Sequence, residues 1–244
     1  MLWLRSLLFY VGMALLTLIF VLLSMLMYPL PFKLRFRVVS QWAVINLQWL
    51  KICCDLGHEV EGLENIPAEG PAIIMCKHQS AWETLALQRI FPPQVWILKR
   101  ELLWIPIYGW GLAAMDPIAI DRGSASKALR QIVDKGCKRL AQGLWVVIFP
   151  EGTRTPAGER HKYQPGGGML ASKSEYPVIP VAHNSGYFWP RNSIKKMPGT
   201  ITMVIGPAIS TSSKSAKEIT RECEEWIEST VERLPIPAFH IDQK

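Results

Sequence analysis

Two short motifs combine residue types that catalyse reactions, and each follows an apolar run that is typical of a buried strand. The first motif places Glu83 five residues after His78. A carboxylate that accepts a hydrogen bond from an imidazole fixes its tautomer and stabilises the imidazolium, so the pair can act as a general base. Positions i and i+5 of a continuous helix lie about 140° apart. The pair therefore requires His78 on a loop and Glu83 in the first turn of a helix.

The first motif also has a structural alternative. Ser80 and Glu83 have the S-x-x-E spacing of a helix capping box, in which the carboxylate only begins the helix. A histidine beside a strand is also more often structural than catalytic. The motif by itself leaves catalysis and capping both open.

The second motif spans residues 149–155, Phe-Pro-Glu-Gly-Thr-Arg-Thr, directly after another apolar run. Gly152 permits a close approach of the backbone to a ligand, and the planar guanidinium of Arg154 binds phosphate through two parallel hydrogen bonds. Glu151 and Thr153 add a carboxylate and a hydroxyl to the same loop. Loops at the carboxyl ends of strands bind ligands in open α/β sheets, which favours a binding role for this motif. The alternative interpretation of the motif is a Pro-Gly turn that carries surface charges.

Two further basic residues, Lys99 and Arg122, follow other candidate strands. Because the carboxyl ends of parallel strands meet at one edge of a sheet, we expect these cations to lie near His78 and Arg154. One base and three cations at one edge predict a site for an anionic substrate. Taken singly, each of these basic residues can also be an ordinary solvated side chain at the end of a strand.

His183 is a rival for the role of general base, and it follows the apolar run 178–182. No carboxylate stands at a suitable spacing, so a hydrogen-bonded structural histidine is the favoured interpretation. Ser185 lacks the Gly-x-Ser-x-Gly setting of a nucleophile elbow. The chain also lacks a Walker P-loop and a G-x-G-x-x-G fingerprint. No residue group calls for a metal or a redox cofactor.

Alternating strand and helix patterns provide the elements that position these residues. Strands are predicted at residues 72–76, 94–98, 117–120, 144–149, 178–182 and 201–205, and helices near residues 81–89, 124–142, 166–173 and 215–234. Such alternation indicates an α/β fold with a central mixed, largely parallel β-sheet flanked by helices. We assign residues 58–244 to this domain and residues 1–57 to a membrane-associated helical segment.

The N-terminal segment begins with an uncharged run at residues 6–30. As a helix it spans about 37 Å, enough to cross a hydrocarbon core of about 30 Å. A cleaved signal peptide fits poorly, because the run is long and ends in Tyr-Pro-Leu-Pro. Basic residues are more frequent after the run than before it, which places the following domain on the cytoplasmic side. Residues 36–56 contain two Trp and suit either an interfacial helix or a core helix, and whether residues 6–56 span or dip into the bilayer stays open.

Length and charge limit the function classes. The 244 residues suit one medium domain with an accessory segment. With 27 Lys and Arg against 20 Asp and Glu, the net charge of +7 favours a membrane surface or an anionic substrate. Nucleic acid is a poorer partner, because the basic residues are scattered. The five cysteines show no CxxC spacing, which predicts free thiols in a reducing compartment.

Taken in order, the motifs resemble the glycerolipid acyltransferase family, which includes the 1-acylglycerol-3-phosphate acyltransferases. The signature of that family is H-x4-D/E, a K-x-E-L block with a nearby D-R, then F-P-E-G-T-R, then a V-I-P-V strand. The matching residues are His78 with Glu83, Lys99-Arg-Glu-Leu with Asp121-Arg122, residues 149–155 and residues 178–181. The resemblance covers roughly residues 71–207.

The resemblance implies acyl transfer from acyl-CoA or acyl-carrier protein to the free hydroxyl of a lysophospholipid, with phosphatidic acid as the expected product. It implies that His78 is the general base and Glu83 its orienter. It places the basic side chains near the acceptor phosphate and assigns the second motif to acceptor binding; these residues are Lys99, Arg122, Glu151, Gly152, Thr153 and Arg154. It also implies a bacterial inner membrane location, with an N-terminal helical motif docked on lipid.

Two departures from the family pattern keep alternatives open. Glu83 replaces the commoner Asp, and Gln164 stands where many relatives have the Lys of F-K-x-G. The second departure leaves room for another acceptor, such as a lyso-ornithine lipid or a different lysophospholipid. A hydrolase would release free fatty acid without an acceptor. A non-catalytic lipid-binding protein would be indifferent to replacement of His78.

Overall fold

The structure, a computed structural model, describes residues 1–241 of the chain. Its strands are β1 (Leu56–Glu61), β2 (Ile73–Cys76), β3 (Gln94–Lys99), β4 (Ile118–Ile120), β5 (Trp145–Ile148), β6 (Val178–His183) and β7 (Gly199–Ile205). Its helices are α1 (Leu2–Leu26), α2 (Phe32–Val39), α3 (Gln41–Cys54), α4 (Trp82–Ile90), α5 (Tyr108–Ala114), α6 (Ala125–Ala141), α7 (Gly166–Ser174), α8 (Ser185–Phe188), α9 (Ala216–Arg233) and α10 (Ala238–Ile241).

The strands form a seven-stranded sheet in the order β1-β7-β6-β2-β5-β3-β4. All neighbouring pairs run parallel except β6 and β7, which run antiparallel. This arrangement confirms the mixed, largely parallel sheet that the alternating pattern predicts. Every residue of the central strand β2 is buried, because helices cover both faces of the sheet.

Alternate side chains of β2 belong to two separate cores. Ile74 and Cys76 pack on the face that α1, α3 and α4 cover. Ile73 and Met75 pack on the opposite face, beneath α6, α7 and α9. The carboxyl end of β2 therefore emerges between two packed layers, and the residues that follow it are held from both sides.

The pattern did not predict β1, and the segment at residues 36–56 is two helices instead of one. α2 ends at Val39, and α3 ends at Cys54, before Asp55 in the left-handed region with φ +52°. β1 then pairs with β7 at the edge of the sheet, where polar residues on its open face obscure the strand pattern. α3 places Leu47 and Leu50 in the core, so the core-helix interpretation of this segment is the correct one.

α1 buries two serines together with Phe9 and Val21, and it exposes many of its large apolar side chains. Its buried positions include Ser6 and Ser24, and Thr17 accepts a hydrogen bond from Trp42 Nε1 at 3.1 Å. Large apolar side chains point outward along its whole length, among them Leu4, Leu8, Leu15, Ile19, Leu22 and Leu26. The helix is long and apolar enough to cross a membrane. Small or polar residues toward protein and apolar residues outward are typical of a helix that contacts lipid.

Candidate active site

His78 lies on the short loop between β2 and α4, and Glu83 lies in the first turn of α4. The hydrogen bond from Lys77 N to Val181 O extends the pairing with β6 by one residue beyond β2. The chain then turns, so that His78 Nδ1 lies 2.7 Å from Glu83 Oε1. This is the arrangement that the five-residue spacing requires.

Glu83 also holds the turn that leads into α4. Its carboxylate accepts hydrogen bonds from the backbone N–H groups of Gln79 and Ser80, at 3.1 and 2.9 Å. The capping box is only half formed, because Ser80 Oγ accepts from Trp82 N. Although burial raises the pKa of Glu83, the hydrogen bond from His78 and the proximity of His183 hold that pKa below its usual value. The carboxylate is thus ionised, and capping and pairing with His78 occur together.

The ring of His78 has one free nitrogen. Nδ1 donates to Glu83, and the ring stacks on Phe149 with centroids 3.9 Å apart and planes inclined by 12°. Within residues 1–241, Nε2 has no hydrogen-bond partner, and the imidazole borders a cavity. The pair therefore presents the free Nε2 to whatever enters that cavity.

The second motif lies against the His78 loop. Thr155 donates hydrogen bonds from its backbone N and from Oγ1 to His78 O, at 2.7 and 3.1 Å. Gly152 has φ +71°, a value that favours glycine, and its carbonyl accepts from Arg122 Nη1 at 2.6 Å. The carboxylate of Glu151 points inward and accepts a hydrogen bond from His78 N at 3.2 Å. Burial raises the pKa of Glu151 to about 7.

The cavity has a volume of about 990 Å³ and two chemically different parts. The polar part is lined by His78, Lys99, Arg122, Glu151, Gly152, Thr153 and Arg154. Apolar side chains of α1, of α5 and the residue after it, and of α6 also line the cavity, including Val21, Leu112, Met115, Leu129 and Ile132. The sheet therefore brings the predicted basic residues to a cavity that also has an apolar lining suited to an aliphatic chain.

Arg191 is a cavity residue that sequence reasoning missed. It follows α8, and its Nη1 donates to Thr153 Oγ1 at 3.3 Å and to Arg154 O at 3.2 Å. It lies in no recognised motif, and its charge is its only signal in the sequence. The structure adds it to the cations that border the cavity.

His183 lies away from the cavity, in the interior behind Glu83. Its Nε2 donates to Lys77 O at 2.8 Å, and Ser185 Oγ lies 2.9 Å from Nδ1. Burial lowers the pKa of His183. The favoured interpretation of His183 as a hydrogen-bonded structural residue agrees with these contacts.

Comparisons with known proteins identify the family to which the fold belongs. A family model described as Acyltransferase matches residues 57–184. The chain is 42% identical over 235 residues to the 1-acyl-sn-glycerol-3-phosphate acyltransferase of Pseudomonas aeruginosa, which covers 94% of this chain and 91% of that protein. It is 30% identical over 189 residues to human 1-acyl-sn-glycerol-3-phosphate acyltransferase beta, covering 75% of this chain and 67% of that protein.

A solved structure has the same fold. The crystal structure of the 1-acyl-sn-glycerophosphate acyltransferase from Thermotoga maritima superimposes with a TM-score of 0.79 and 24% sequence identity. The similarity covers 94% of this chain and 94% of that chain, so it includes the N-terminal helices as well as the sheet.

Proposed function

This chain belongs to the acyltransferase family, and on that premise we propose that it makes phosphatidic acid by acylating the free hydroxyl of 1-acyl-sn-glycerol-3-phosphate with an acyl thioester. The observation that carries the proposal is the position of His78. Its free Nε2 belongs to a ring that borders one cavity, and that cavity is lined both by cations and by apolar side chains. The cations suit a phosphate, the free Nε2 suits the proton of a hydroxyl, and the apolar lining suits an acyl chain. The proposed substrates bring all three groups.

In the proposed mechanism, His78 Nε2 accepts the proton of the acceptor hydroxyl. At the same time, the oxygen of that hydroxyl attacks the thioester carbonyl carbon. Glu83 stabilises the imidazolium that forms, because the carboxylate remains ionised and hydrogen-bonded to Nδ1. The carbonyl double bond then re-forms and the carbon–sulfur bond breaks. The leaving thiolate receives the proton from Nε2. A positioned general base of this kind contributes about 10²- to 10⁴-fold to the rate.

No covalent enzyme intermediate and no resident cofactor are needed in this mechanism, because the thioester is already activated toward attack. Acyl-CoA and acyl-carrier protein present the same thioester. Both are therefore proposed as donors, and the assay described below distinguishes them.

The acceptor phosphate is proposed to bind at the basic end of the cavity. Arg154 carries the planar fork that suits phosphate, and Arg122 holds the same loop through Gly152 O. Lys99 and Arg191 complete the basic border. The apolar end of the cavity would then hold an acyl chain, with Val21 of α1 and Leu112 of α5 among its walls.

We propose that the enzyme docks on the cytoplasmic side of the inner membrane. Besides the outward face of α1, exposed apolar residues concentrate at residues 104–110, where Trp104 and Trp110 are more than half exposed. This segment adjoins α1, because Gly111 approaches Val21 so closely that a Cβ would lie 2.7 Å from it. A lysolipid can keep its tail in the bilayer while its head group reaches the cavity.

One observation favours testing other acceptors. Gln164, which stands where many relatives carry a Lys, also borders the cavity. A neutral amide at that position removes one cation from the acceptor site. A lyso-ornithine lipid or another lysophospholipid is therefore the second candidate acceptor.

The test is an acyl-transfer assay on membranes, with a panel of lysolipids against acyl-CoA and acyl-carrier protein. We expect 1-acyl-sn-glycerol-3-phosphate to be the preferred acceptor, and His78→Ala to reduce transfer by about 10³-fold or more while the protein still reaches the membrane. Near-normal turnover by His78→Ala would refute the mechanism. Release of free fatty acid without an acceptor would identify a hydrolase instead.

A further inference from the structure

A buried ionic cluster lies directly behind His78, and of its members only Glu151 borders the cavity. Lys77 Nζ lies 2.7 Å from Glu228 Oε1 and 3.4 Å from Glu151 Oε1. The side chains of Lys77 and Glu151 are fully buried, and that of Glu228 is 5% exposed. Tyr163 also donates to Glu228 Oε1, at 2.9 Å.

The cluster requires an explanation, because buried ion pairs contribute little net stability. Removing charged groups from water costs free energy that their mutual attraction rarely exceeds, and apolar residues of similar size are often as stabilising. Here two carboxylates share one buried ammonium group, and the further cation near Glu228 is Arg160, 3.8 Å away at the surface. Stability alone is therefore a poor reason for this arrangement.

The cluster is joined to the catalytic loop through one hydrogen bond. The same oxygen of Glu151 that faces Lys77 Nζ accepts a hydrogen bond from His78 N at 3.2 Å. Lys77 itself directly precedes His78, and its carbonyl accepts from His183 Nε2. The peptide between Lys77 and His78 is thus held by side chains on both sides.

We propose that the ion pair of Lys77 and Glu228 positions His78 for the proposed acyl transfer. Lys77 holds the Glu151 carboxylate at the His78 amide, and Glu228 holds Lys77 in place. Tyr163 orients Glu228 through its hydroxyl. The backbone of His78 is thereby fixed, which keeps Nε2 directed into the cavity. Glu228 and Tyr163 are positioning residues, because neither borders the cavity.

Glu228 comes from a part of the chain outside the family-matched segment. It lies on α9, whereas the match ends at residue 184. Its partner Lys77 stands 151 residues earlier. The last long helix therefore contributes to the geometry of the catalytic loop as well as to the core.

The experiment compares Glu228→Gln with Glu225→Gln in the membrane acyl-transfer assay. Glu225 is on the same helix, is exposed and pairs with Arg221 at the surface, so it is a matched control. Glu228→Gln keeps the side-chain shape and an oxygen that accepts from Tyr163. We expect its kcat to fall between about 10- and 100-fold, with the KM values of both substrates within about twofold of wild type. Glu225→Gln should match wild type.

A second comparison tests whether Glu228 acts through Glu151. In a Glu151→Gln background, we expect Glu228→Gln to cause no further loss of kcat, because the two carboxylates share Lys77. Multiplicative losses would overturn the proposal, and so would a Glu228→Gln variant that matches the control.

If Glu228→Gln fails to fold, Tyr163→Phe removes a single bond to the same carboxylate and should lower kcat several-fold at unchanged KM. Full activity of that variant would also overturn it.

This inference rests on the proposed function, and the assay separates the two. If wild-type protein transfers no acyl group to any lysolipid, the proposed function fails. If wild type is active and His78→Ala is inactive, but Glu228→Gln equals Glu225→Gln, only the positioning role fails.

Discussion

The pair of His78 and Glu83 and the basic border of the cavity are held in very different ways. Glu83 is fully buried and accepts hydrogen bonds from four donors, and the ring of His78 is stacked and only 15% exposed. Lys99 and Arg191 lie at the surface, and Lys99 Nζ lies 3.7 Å from Glu101. One region is fixed by the core, whereas the other remains solvated.

The difference follows from what each region does in the proposed reaction. A general base must stand at a fixed distance from one proton, so its position is determined by packing and hydrogen bonds. A phosphate group is attracted over a longer range and accepts from several directions, so solvated cations suffice. Substitutions in the first region should therefore change kcat, and substitutions in the second should change KM for the acceptor.

The largest expected effect belongs to Glu83→Gln. An amide cannot stabilise the imidazolium and can favour the wrong tautomer, so we expect kcat to fall by about 10³- to 10⁴-fold. Glu83→Asp keeps the charge and the residue type common in the family, and it should retain most activity. Both variants are compared by initial rates with saturating substrates. If Glu83→Gln matched wild type, the carboxylate would be only a helix cap.

A smaller effect is expected for Arg154→Ala. Loss of charge-assisted hydrogen bonds to phosphate should raise the acceptor KM by about 10- to 100-fold, with kcat and the donor KM nearly unchanged. Arg221→Ala is the control, because Arg221 is an exposed residue of α9 remote from the cavity. Equal effects of Arg154→Ala on donor and acceptor would remove its proposed phosphate role and weaken the contrast between the two regions.

The smallest effect concerns stability, because the two carboxylates beside His78 have pKa values shifted in opposite directions. The pKa of Glu83 is lowered, so its contribution to stability is present above its unfolded pKa and is lost on acidification. The pKa of Glu151 is raised to about 7, so the folded state binds more protons than the unfolded state between about pH 4.5 and 7. Its contribution to stability therefore decreases as the pH rises through that window.

The corresponding measurement is the melting temperature at pH 5 and pH 8. From pH 5 to pH 8, the change in the melting temperature of wild type should be more negative, by a few degrees, than the change for Glu151→Gln. Glu225→Gln, a substitution of an exposed carboxylate, should follow wild type. Identical pH dependence of wild type and Glu151→Gln would contradict a titrating Glu151.

The sheet was predictable where strands are buried on both faces. β2, β5 and β6 are continuous apolar runs, and the pattern located each within about two residues. β1 was missed, because an edge strand with one open face has polar residues that weaken the pattern. The break between α2 and α3 was missed as well, since only one residue separates the two helices.

The sequence by itself determined the chemistry that is local along the chain. His78 and Glu83 are close enough in sequence that one strand end and one helix start bring them together. The second motif similarly places Arg154 and Gly152 on one loop, because they are neighbours in the sequence. Strand ends in a parallel sheet meet at one edge, which brings this loop to the His78 loop.

Only the tertiary structure decided which distant groups support these residues. Arg191 reaches the second motif from the loop after α8, and Glu228 reaches Lys77 from 151 residues away. Neither contact has a periodic or motif signal, because each depends on how whole layers pack across the sheet. The same packing turns the side chain of Glu151 inward. The sequence shows a carboxylate at this position, but the direction in which the side chain points depends on the tertiary structure.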